Sequence, residues 1–157
     1  MREMRRRDRE VRDPERMKAL ADRCDVLRLG LADGNAPYIV PMNFGWEEKD
    51  GRIYFYLHGA AEGRKAELLR RNGICSFQMD CDHRVVQLPG GGITTRYGCV
   101  MGKAAVTLLT EEEKPHAMRL LIDRYLPGAP CCPSSALAHT AMWRLEVTEW
   151  SAKINEE

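Results

Sequence analysis

The chain has 157 residues, of which 44% are hydrophobic and 30% charged, and its formal net charge is +1. This length suits one domain, and the near-neutral charge gives no argument for nucleic acid as a partner. No apolar run reaches the length of a membrane span, and the N-terminus has no apolar signal core. We therefore expect a soluble, cytoplasmic protein with neither a nucleic-acid nor a membrane partner.

The six cysteines form no Cys-x-x-Cys pair. Neither a zinc ribbon nor a thioredoxin site is therefore indicated, and reduced thiols are the default in the cytoplasm. Cys81 and His83 are close in sequence, but no further ligands can be assigned to them. We predict a loop from Cys81 to His83 and no metal site.

The first twelve residues are predicted to form a charged N-terminal arm, in which six arginines alternate with three acids. The interleaved acids and the lack of an aromatic residue argue against a nucleic-acid arm, so a mobile or partner-docking segment is the better interpretation. Asp13 is then the N-cap of a helix and Pro14 its first residue. We predict a single domain over residues 13–157.

Two strands joined by a hairpin turn follow this helix. Val26 to Ala32 alternates loosely, Asp33-Gly34-Asn35 is a turn signal, and Tyr38 to Phe44 returns as the second strand. Because proline cannot donate to a sheet ladder, Pro37 and Pro41 make the second strand an edge or leave it locally unpaired. Its free backbone groups would be available to a flat heterocycle, and a bulge without a ligand is the alternative.

The stretch from Pro41 to Lys65 ends in a cationic corner. A turn and the apolar strand Ile53 to Leu57 lead into small residues, and a helix is predicted from about Gly63 to Arg71. The unpaired N–H groups of a helix start, together with Arg64 and Lys65, would suit a phosphate group. The alternative is a solvent-exposed helix face without a ligand.

The second half of the chain adds further strands. Ile74 to Asp80 is predicted to be a strand and Leu88 to Gly92 a loop. Ile93 to Leu109 has the pattern of a long strand, in which Gly98 and Gly102 indicate bulges or a barrel corner.

A capping box and a last strand complete the pattern. Thr110 and Glu113 would cap one more helix, whose first turn Pro115 would disturb. Apolar and polar residues alternate from Trp143 to Thr148, as in a strand with one buried face. About six strands, linked by hairpins and without regular βαβ spacing, predict a mainly β fold, a six-stranded antiparallel split β-barrel with short helices.

Seven segments carry a resemblance to a known family through their order and spacing. They are RRRDREV, CDVLRLGL, PYIVPMNFGW, IYFYLHGAAEGRKAELL, FQMDCDH, TTRYGCVMGKA and the closing WRLEV. Together they cover nearly the whole chain. The chain resembles the split-barrel flavoproteins related to pyridoxamine 5′-phosphate oxidase, in particular the NimA-like branch named for nitroimidazole resistance.

The resemblance implies an FMN-binding homodimer with the flavin at the subunit interface, so that residues 13–157 would form a flavin-binding domain. The strand Val40 to Phe44 would contact the isoalloxazine ring, and His58, Arg64 and Lys65 would hold the phosphate. A later strand would approach the flavin or the partner subunit. The implied cofactor-binding residues are Val40, Pro41, Met42, Asn43, Phe44, His58, Arg64, Lys65, Arg96, Tyr97 and Cys99.

The sequence departs from the family pattern at three places. The family often has Ser where Gly59 stands, Tyr where Trp46 stands, and Arg-Ser where Gly98-Cys99 stands. One hydroxyl donor and one charge would therefore be absent from the expected pocket.

By this resemblance, the chain is expected to be an FMN-dependent oxidoreductase that reduces a small electrophilic or nitroaromatic compound, with NADH or NADPH as a candidate electron donor. A non-enzymatic module that carries flavin or haem is the alternative, and FAD is the alternative flavin. Oxidation of pyridoxamine phosphate is a third hypothesis. We assign no catalytic acid or base, and His58 is the candidate for that role.

Overall fold

The computed structural model describes residues 4–156, which form one antiparallel sheet with peripheral helices. The strands are β1 Glu10–Val11, β2 Leu27–Leu31, β3 Tyr38–Met42, β4 Gly45–Lys49, β5 Arg52–Ala60, β6 Ile74–Gln87, β7 Ile93–Leu108 and β8 Thr140–Asn155. The helices are α1 Pro14–Asp22, α2 Arg64–Asn72, α3 Lys114–Tyr125 and α4 Ser134–Ala138, and a 3₁₀ turn spans Arg7–Arg9.

The strand order closes the sheet on itself. Along the sheet the order is β3-β2-β6-β7-β8-β5-β4, and β1 pairs with β8. β3 and β4 are therefore the two ends of the sheet, yet only Asn43 and Phe44 separate them in the chain. Because the chain crosses from one end to the other within two residues, the sheet must curl into a barrel that is split between these strands. The mainly β, split-barrel prediction is confirmed, with eight strands rather than six.

The two additional strands have local causes. β1 is a two-residue pairing with Lys153 and Ala152 of β8, and it buries Val11. β4 is a strand distinct from β3 because Phe44, between them, is fully buried. Its ring turns into the core, and the strand predicted from Tyr38 to Phe44 therefore ends at Met42. Residues 1–3 of the predicted arm and residue 157 lie outside the described residues, and the division between arm and domain at residue 13 stays a prediction.

Two sequence-based expectations about β3 and β6 had different outcomes. β3 is an end strand of the described sheet, which confirms the edge position that Pro41 predicts. The loop predicted from Cys81 to His83 is wrong, because β6 continues to Gln87 in pairing with β7. The chain absorbs this continuation through a register shift between Cys81 and Arg84, where Asp82 has a φ of 56°.

The glycines of β7 lie beside its two register shifts and also allow close packing. The register shift between β7 and β8 lies between Lys103 and Ala104. A Cβ at Gly98 would lie 2.4 Å from Leu20 Cδ1, so this glycine lets α1 pack directly on the strand. The irregular pairing predicted at the two glycines is found beside both of them: Gly98 pairs with Cys81, where the register shift against β6 begins, and the shift against β8 lies one residue past Gly102.

The last long helix starts later than its capping signal predicts. The Glu113 carboxylate accepts from the Thr110 N–H at 2.9 Å, as in a capping box, but this contact stabilises a turn. α3 begins at Lys114, which makes Pro115 a residue of its first turn, where no N–H is needed. None of the helices described between residues 4 and 156 has the length and hydropathy of a membrane span.

Candidate functional site

Lys65 lies at the split of the barrel, between β3 and the part of β5 that extends beyond its pairing with β4. α2 buries Ala66, Leu68 and Leu69 in the barrel core, which sets Lys65 at the barrel mouth on the first turn of the helix. Its Nζ lies 3.3 Å from the sulfur of Met42, the last residue of β3. On the other side it lies over Gly59 of β5, where an added Cβ would be 2.9 Å from Nζ. The ammonium therefore occupies the split of the barrel.

The charge of Lys65 has no protein counterion among residues 4–156. A thioether is a weak acceptor, and no carboxylate of the described chain lies within ion-pair distance of this ammonium. Burial therefore lowers the pKa of Lys65. A half-buried cation without a counterion is an unfavourable arrangement that a bound anion would relieve.

His58 is a second unpaired group at this corner. Its Nδ1 is buried and has no hydrogen-bond partner in the part of the chain that the structure describes. Burial lowers the pKa of His58, and the positive charge of Lys65 lowers it further. The neutral imidazole is therefore favoured, with an unused nitrogen that can accept or donate one hydrogen bond.

Arg64 is at the same helix start, but its guanidinium is already paired. It lies 2.6 Å from the Asp33 carboxylate and 4.8 Å from the centre of the Tyr38 ring. The start of α2 has no side-chain cap, because its N-cap is Gly63 with a φ of 99°. The free N–H groups of the helix start and Lys65 thus lie near Gly59, with Arg64 at the rim and His58 as the preceding residue of β5.

The predicted site residues from Val40 to Phe44, which lie in β3 and in the bend after it, differ in burial. Val40 is half-buried and Met42 is buried, while Pro41 and Asn43 are exposed beside the split. Phe44 lies in the core, and its N–H donates to the Tyr125 hydroxyl at 3.1 Å. Its ring and N–H are therefore committed to the protein interior.

The β7 residues of the predicted site lie far from the Lys65 corner within one chain. His58 is opposite Met142 of β8, and Tyr97 is opposite Asn155 of the same strand. Those β8 positions are thirteen residues apart, which is about 40 Å of extended strand. Arg96, Tyr97 and Cys99 therefore do not join His58 and Lys65 in a site made by a single chain.

Two positioning residues were not found by sequence reasoning. Tyr125 and Arg124, at the end of α3, hold the bend between β3 and β4. The Tyr125 hydroxyl bonds to Phe44 N–H, and the Arg124 guanidinium carbon lies 4.2 Å from the centre of the Phe44 ring. Eighty residues of chain separate these partners, and no local pattern links them.

The described residues contain no group of three or more His, Cys, Asp or Glu side chains placed to hold a metal ion. The chemistry that residues 4–156 offer at the barrel split is thus that of an anion-binding corner beside an edge strand.

The comparisons with known proteins agree with the fold. The chain is similar to a candidate 5-nitroimidazole antibiotic resistance protein from Bacteroides thetaiotaomicron, with 26% identity, a TM-score of 0.82, and coverage of 92% of this chain and 86% of that one. It is also similar to a FAD and haem binding protein from Mycobacterium smegmatis, with 20% identity, a TM-score of 0.80, and coverage of 95% and 74%.

A flavocytochrome from Azotobacter vinelandii is a third similar structure, with 22% identity, a TM-score of 0.81, and coverage of 99% of this chain and 73% of that one. No curated protein matches the sequence. The family model described as pyridoxamine 5′-phosphate oxidase matches residues 13–154. Because this match spans most of the chain, the chain belongs to the pyridoxamine 5′-phosphate oxidase family.

Proposed function

We propose that this chain binds FMN as a homodimer and acts as an oxidoreductase on a small electrophilic or nitroaromatic compound. The single observation that carries the proposal is the Lys65 ammonium, held at the barrel split with a thioether as its nearest partner. An anionic cofactor tail would give this cation, the unpaired His58 Nδ1 and the uncapped start of α2 the partners that the chain lacks.

The residues at the corner fit the phosphate end of FMN. In this proposal Lys65 binds a phosphate oxygen. The absence of a side chain at Gly59 leaves room for the Lys65 ammonium. Arg64 adds a second cation once it leaves Asp33. Val40, Pro41, Met42 and Asn43 of the edge strand lie beside the flat ring system, which they orient and shield from water. When bound, the flavin supplies the hydride or electron transfer.

His58 is our candidate for the group that holds a proton near the cofactor. Its lowered pKa keeps the ring neutral near pH 7, so that Nδ1 can accept a proton or donate its own, depending on the tautomer. The proposal assigns no other acid or base.

Assembly as a homodimer would complete the site. Arg96, Tyr97 and Cys99 lie at the far end of β8 from His58, so only a second copy could bring them to the Lys65 corner. A groove of about 590 Å³ runs across the outer face of β2, β6, β7 and β8, and Ile39 and Met101 in it are 64% and 42% exposed. Such a patch is typical of a protein interface. Sedimentation analysis of wild-type chain and of Met101→Glu tests this step, and a monomeric wild type would contradict it.

The similar structures support the proposal that this chain binds a flavin, although the ligands they are named for belong to those proteins. One is a candidate nitroimidazole resistance protein, one is a FAD and haem binding protein, and one is a flavocytochrome. The alternative of a non-enzymatic flavin or haem carrier is tested by the same experiments, as is FAD in place of FMN.

The first experiment is a visible spectrum of the purified protein, with mass identification of the released cofactor. Flavin bands support the proposal, while a haem Soret band supports the alternative. The second is an FMN titration of Lys65→Gln, with the exposed Arg16→Gln as a control that removes the same charge. We expect loss of about 1.5–3 kcal/mol of binding for Lys65→Gln, or roughly ten- to a hundredfold, and no change for the control.

The third experiment tests enzyme against carrier. The FMN-loaded protein is reduced with NADH or NADPH and mixed with nitroaromatic acceptors or with oxygen. Reoxidation by an acceptor faster than by oxygen supports a reductase, and oxygen as the fastest acceptor would contradict it. Turnover of pyridoxamine phosphate would favour the third hypothesis instead.

A further inference from the structure

The hairpin between β6 and β7 extends beyond the rest of the sheet. β7 pairs with β8 only from Tyr97 onward, whereas residues 84–96 pair with each other across the hairpin. A two-stranded ribbon is marginally stable by itself in water. The side-chain amide of Asn155, at the end of β8, bonds to the Thr95 carbonyl and fixes only the base of the ribbon.

Two like charges face each other at this base. Arg84 and Arg96 are direct cross-strand partners, so their side chains lie on the same face of the ribbon. Like charges at directly opposed positions are destabilising unless a counterion lies between them. Neither guanidinium has a carboxylate within ion-pair distance in the described chain, and Arg96 Nη1 is buried with no hydrogen-bond partner there.

The two arginines line a cavity of about 420 Å³ with Tyr97 and Asn155. Two carboxylates also line it, but both are engaged by a different arginine. Arg23 lies 2.5 Å from Asp82 and 3.2 Å from Glu156. Arg84 and Arg96 are therefore two neighbouring positive charges that no carboxylate of the described residues contacts.

We propose that the Arg84–Arg96 pair binds a phosphate group between the two strands of the hairpin. Two planar guanidinium groups match a tetrahedral dianion in charge and in the number of N–H donors. One phosphate that accepts from both strands would convert the repulsive pair into a bridge and hold the ribbon in register. Within one chain this site lies at the opposite end of β8 from the Lys65 corner. The proposal therefore assigns Arg96 to a second phosphate site and leaves Tyr97 and Cys99 as the β7 residues of the flavin site.

Calorimetric titration with inorganic phosphate and with glycerol 3-phosphate tests the proposal, at constant ionic strength in chloride buffer and with saturating FMN. We expect binding of at least one of these probes, which also tells a free phosphate from a phosphate ester. Arg84→Gln should weaken it at least tenfold, while Arg16→Gln, an exposed arginine on α1, should not change it. Equal binding by Arg84→Gln and wild type would overturn the proposal.

Thermal unfolding supplies a second measurement in case a variant folds poorly. Phosphate should raise the melting temperature of the wild type more than chloride at the same ionic strength, and it should not do so for Arg84→Gln. In phosphate-free buffer Arg84→Gln should be at least as stable as the wild type, since the repulsion is relieved. Equal effects of phosphate and chloride on the wild type would overturn the site.

The result can be read independently of the proposed flavin site. If FMN fails to bind at all, the comparison of Arg84→Gln with Arg16→Gln still reports on the hairpin. If phosphate binds only in the absence of FMN, it binds at the flavin site, and the proposal of a second phosphate site is overturned.

Discussion

The Tyr125 hydroxyl joins two distant segments, because it accepts the Phe44 N–H at 3.1 Å and donates to the Asp25 carbonyl at 2.8 Å. Phe44 ends the bend from β3 to β4, and Met42, two residues earlier, contacts Lys65. A side chain at the end of α3 thus determines where the edge strand lies at the split of the barrel. The candidate site depends on this contact without including it.

Tyr125→Phe should destabilise the protein while leaving its packing intact. The change leaves the N–H of the fully buried Phe44 without a partner, which costs about 1–3 kcal/mol. Denaturant unfolding measures this loss. Tyr38→Phe is the matched control, since no hydrogen bond of the Tyr38 hydroxyl is found among the described residues. Equal stability of the two variants would show that the Phe44 contact contributes nothing.

Replacement of Lys65 should change how stability depends on pH. Burial lowers the pKa of Lys65 below its ordinary value of 10.5, so the unfolded chain binds more protons between the folded and the unfolded pKa. The contribution of Lys65 to the unfolding free energy is therefore fully present above about pH 10.5 and is lost as pH falls through the folded pKa. In unfolding curves from pH 7 to pH 10, the unfolding free energy of Lys65→Met should rise relative to that of the wild type as the pH falls.

The buried thiols and Tyr56 also titrate at alkaline pH, so the informative quantity is the difference between wild type and variant. Lys49→Met, which removes an exposed lysine, is the control and should show a flat difference across the range. A flat difference for Lys65→Met as well would mean that its ammonium is not desolvated.

His58 should make the protein sensitive to acid. Its pKa is lowered, first by burial and then by Lys65, so the folded chain resists protonation that the unfolded chain accepts at about pH 6.5. The stability that the neutral ring contributes is present above pH 6.5 and is lost as pH falls through the folded pKa. His58→Gln should therefore lose less unfolding free energy between pH 8 and pH 5 than wild type does. The exposed His139→Gln should behave as wild type.

Much of the fold could be predicted because its signals are local. Pro41 cannot donate a ladder hydrogen bond, so it predicted an edge strand, and alternation predicted most of the others. The bend at Phe44 was missed because an apolar residue at a strand end carries no sign of which way its ring turns. The continuation of β6 through Asp82 was missed because pairing with β7, not local propensity, holds it there.

The candidate site was predictable only in part. Gly63, Arg64 and Lys65 are a local pattern, and a helix does start there. Sequence could not show that Asp33 already pairs with Arg64, since the two are thirty-one residues apart. Nor could it show that Arg96 lies at the opposite end of β8 from His58, which follows from strand register alone.

The Asp33 pair gives a prediction for Arg64. The Arg64 side chain is 64% exposed, and an exposed ion pair is worth about 0–1 kcal/mol, so little opposes its transfer to a ligand. Asp33→Asn should free the guanidinium and tighten FMN binding, while Arg64→Ala should weaken it. We expect Arg64→Ala to have a smaller effect than Lys65→Gln, because Arg64 must break its pair with Asp33 before it can bind the cofactor. Tighter binding by Arg64→Ala would exclude a cofactor contact for this residue.

Gly59 provides the most direct test of the room around Lys65. A Cβ there would lie 2.9 Å from Lys65 Nζ and 3.2 Å from Cε, the flexible end of a long side chain. Gly59→Ala should therefore fold normally but displace the ammonium from Met42.

Loss of that position should weaken FMN binding by about tenfold, the scale of one charge-assisted hydrogen bond. Gly59→Ser should lose less, because its hydroxyl can donate to the same phosphate. Gly30→Ala is the matched control in a strand, since its added Cβ meets nothing closer than 3.6 Å. Fluorescence titration of FMN against the three variants measures the order. Equal FMN affinities for Gly59→Ala and Gly30→Ala would show that the Lys65 ammonium does not bind the phosphate, because displacing it would then have no effect on FMN binding.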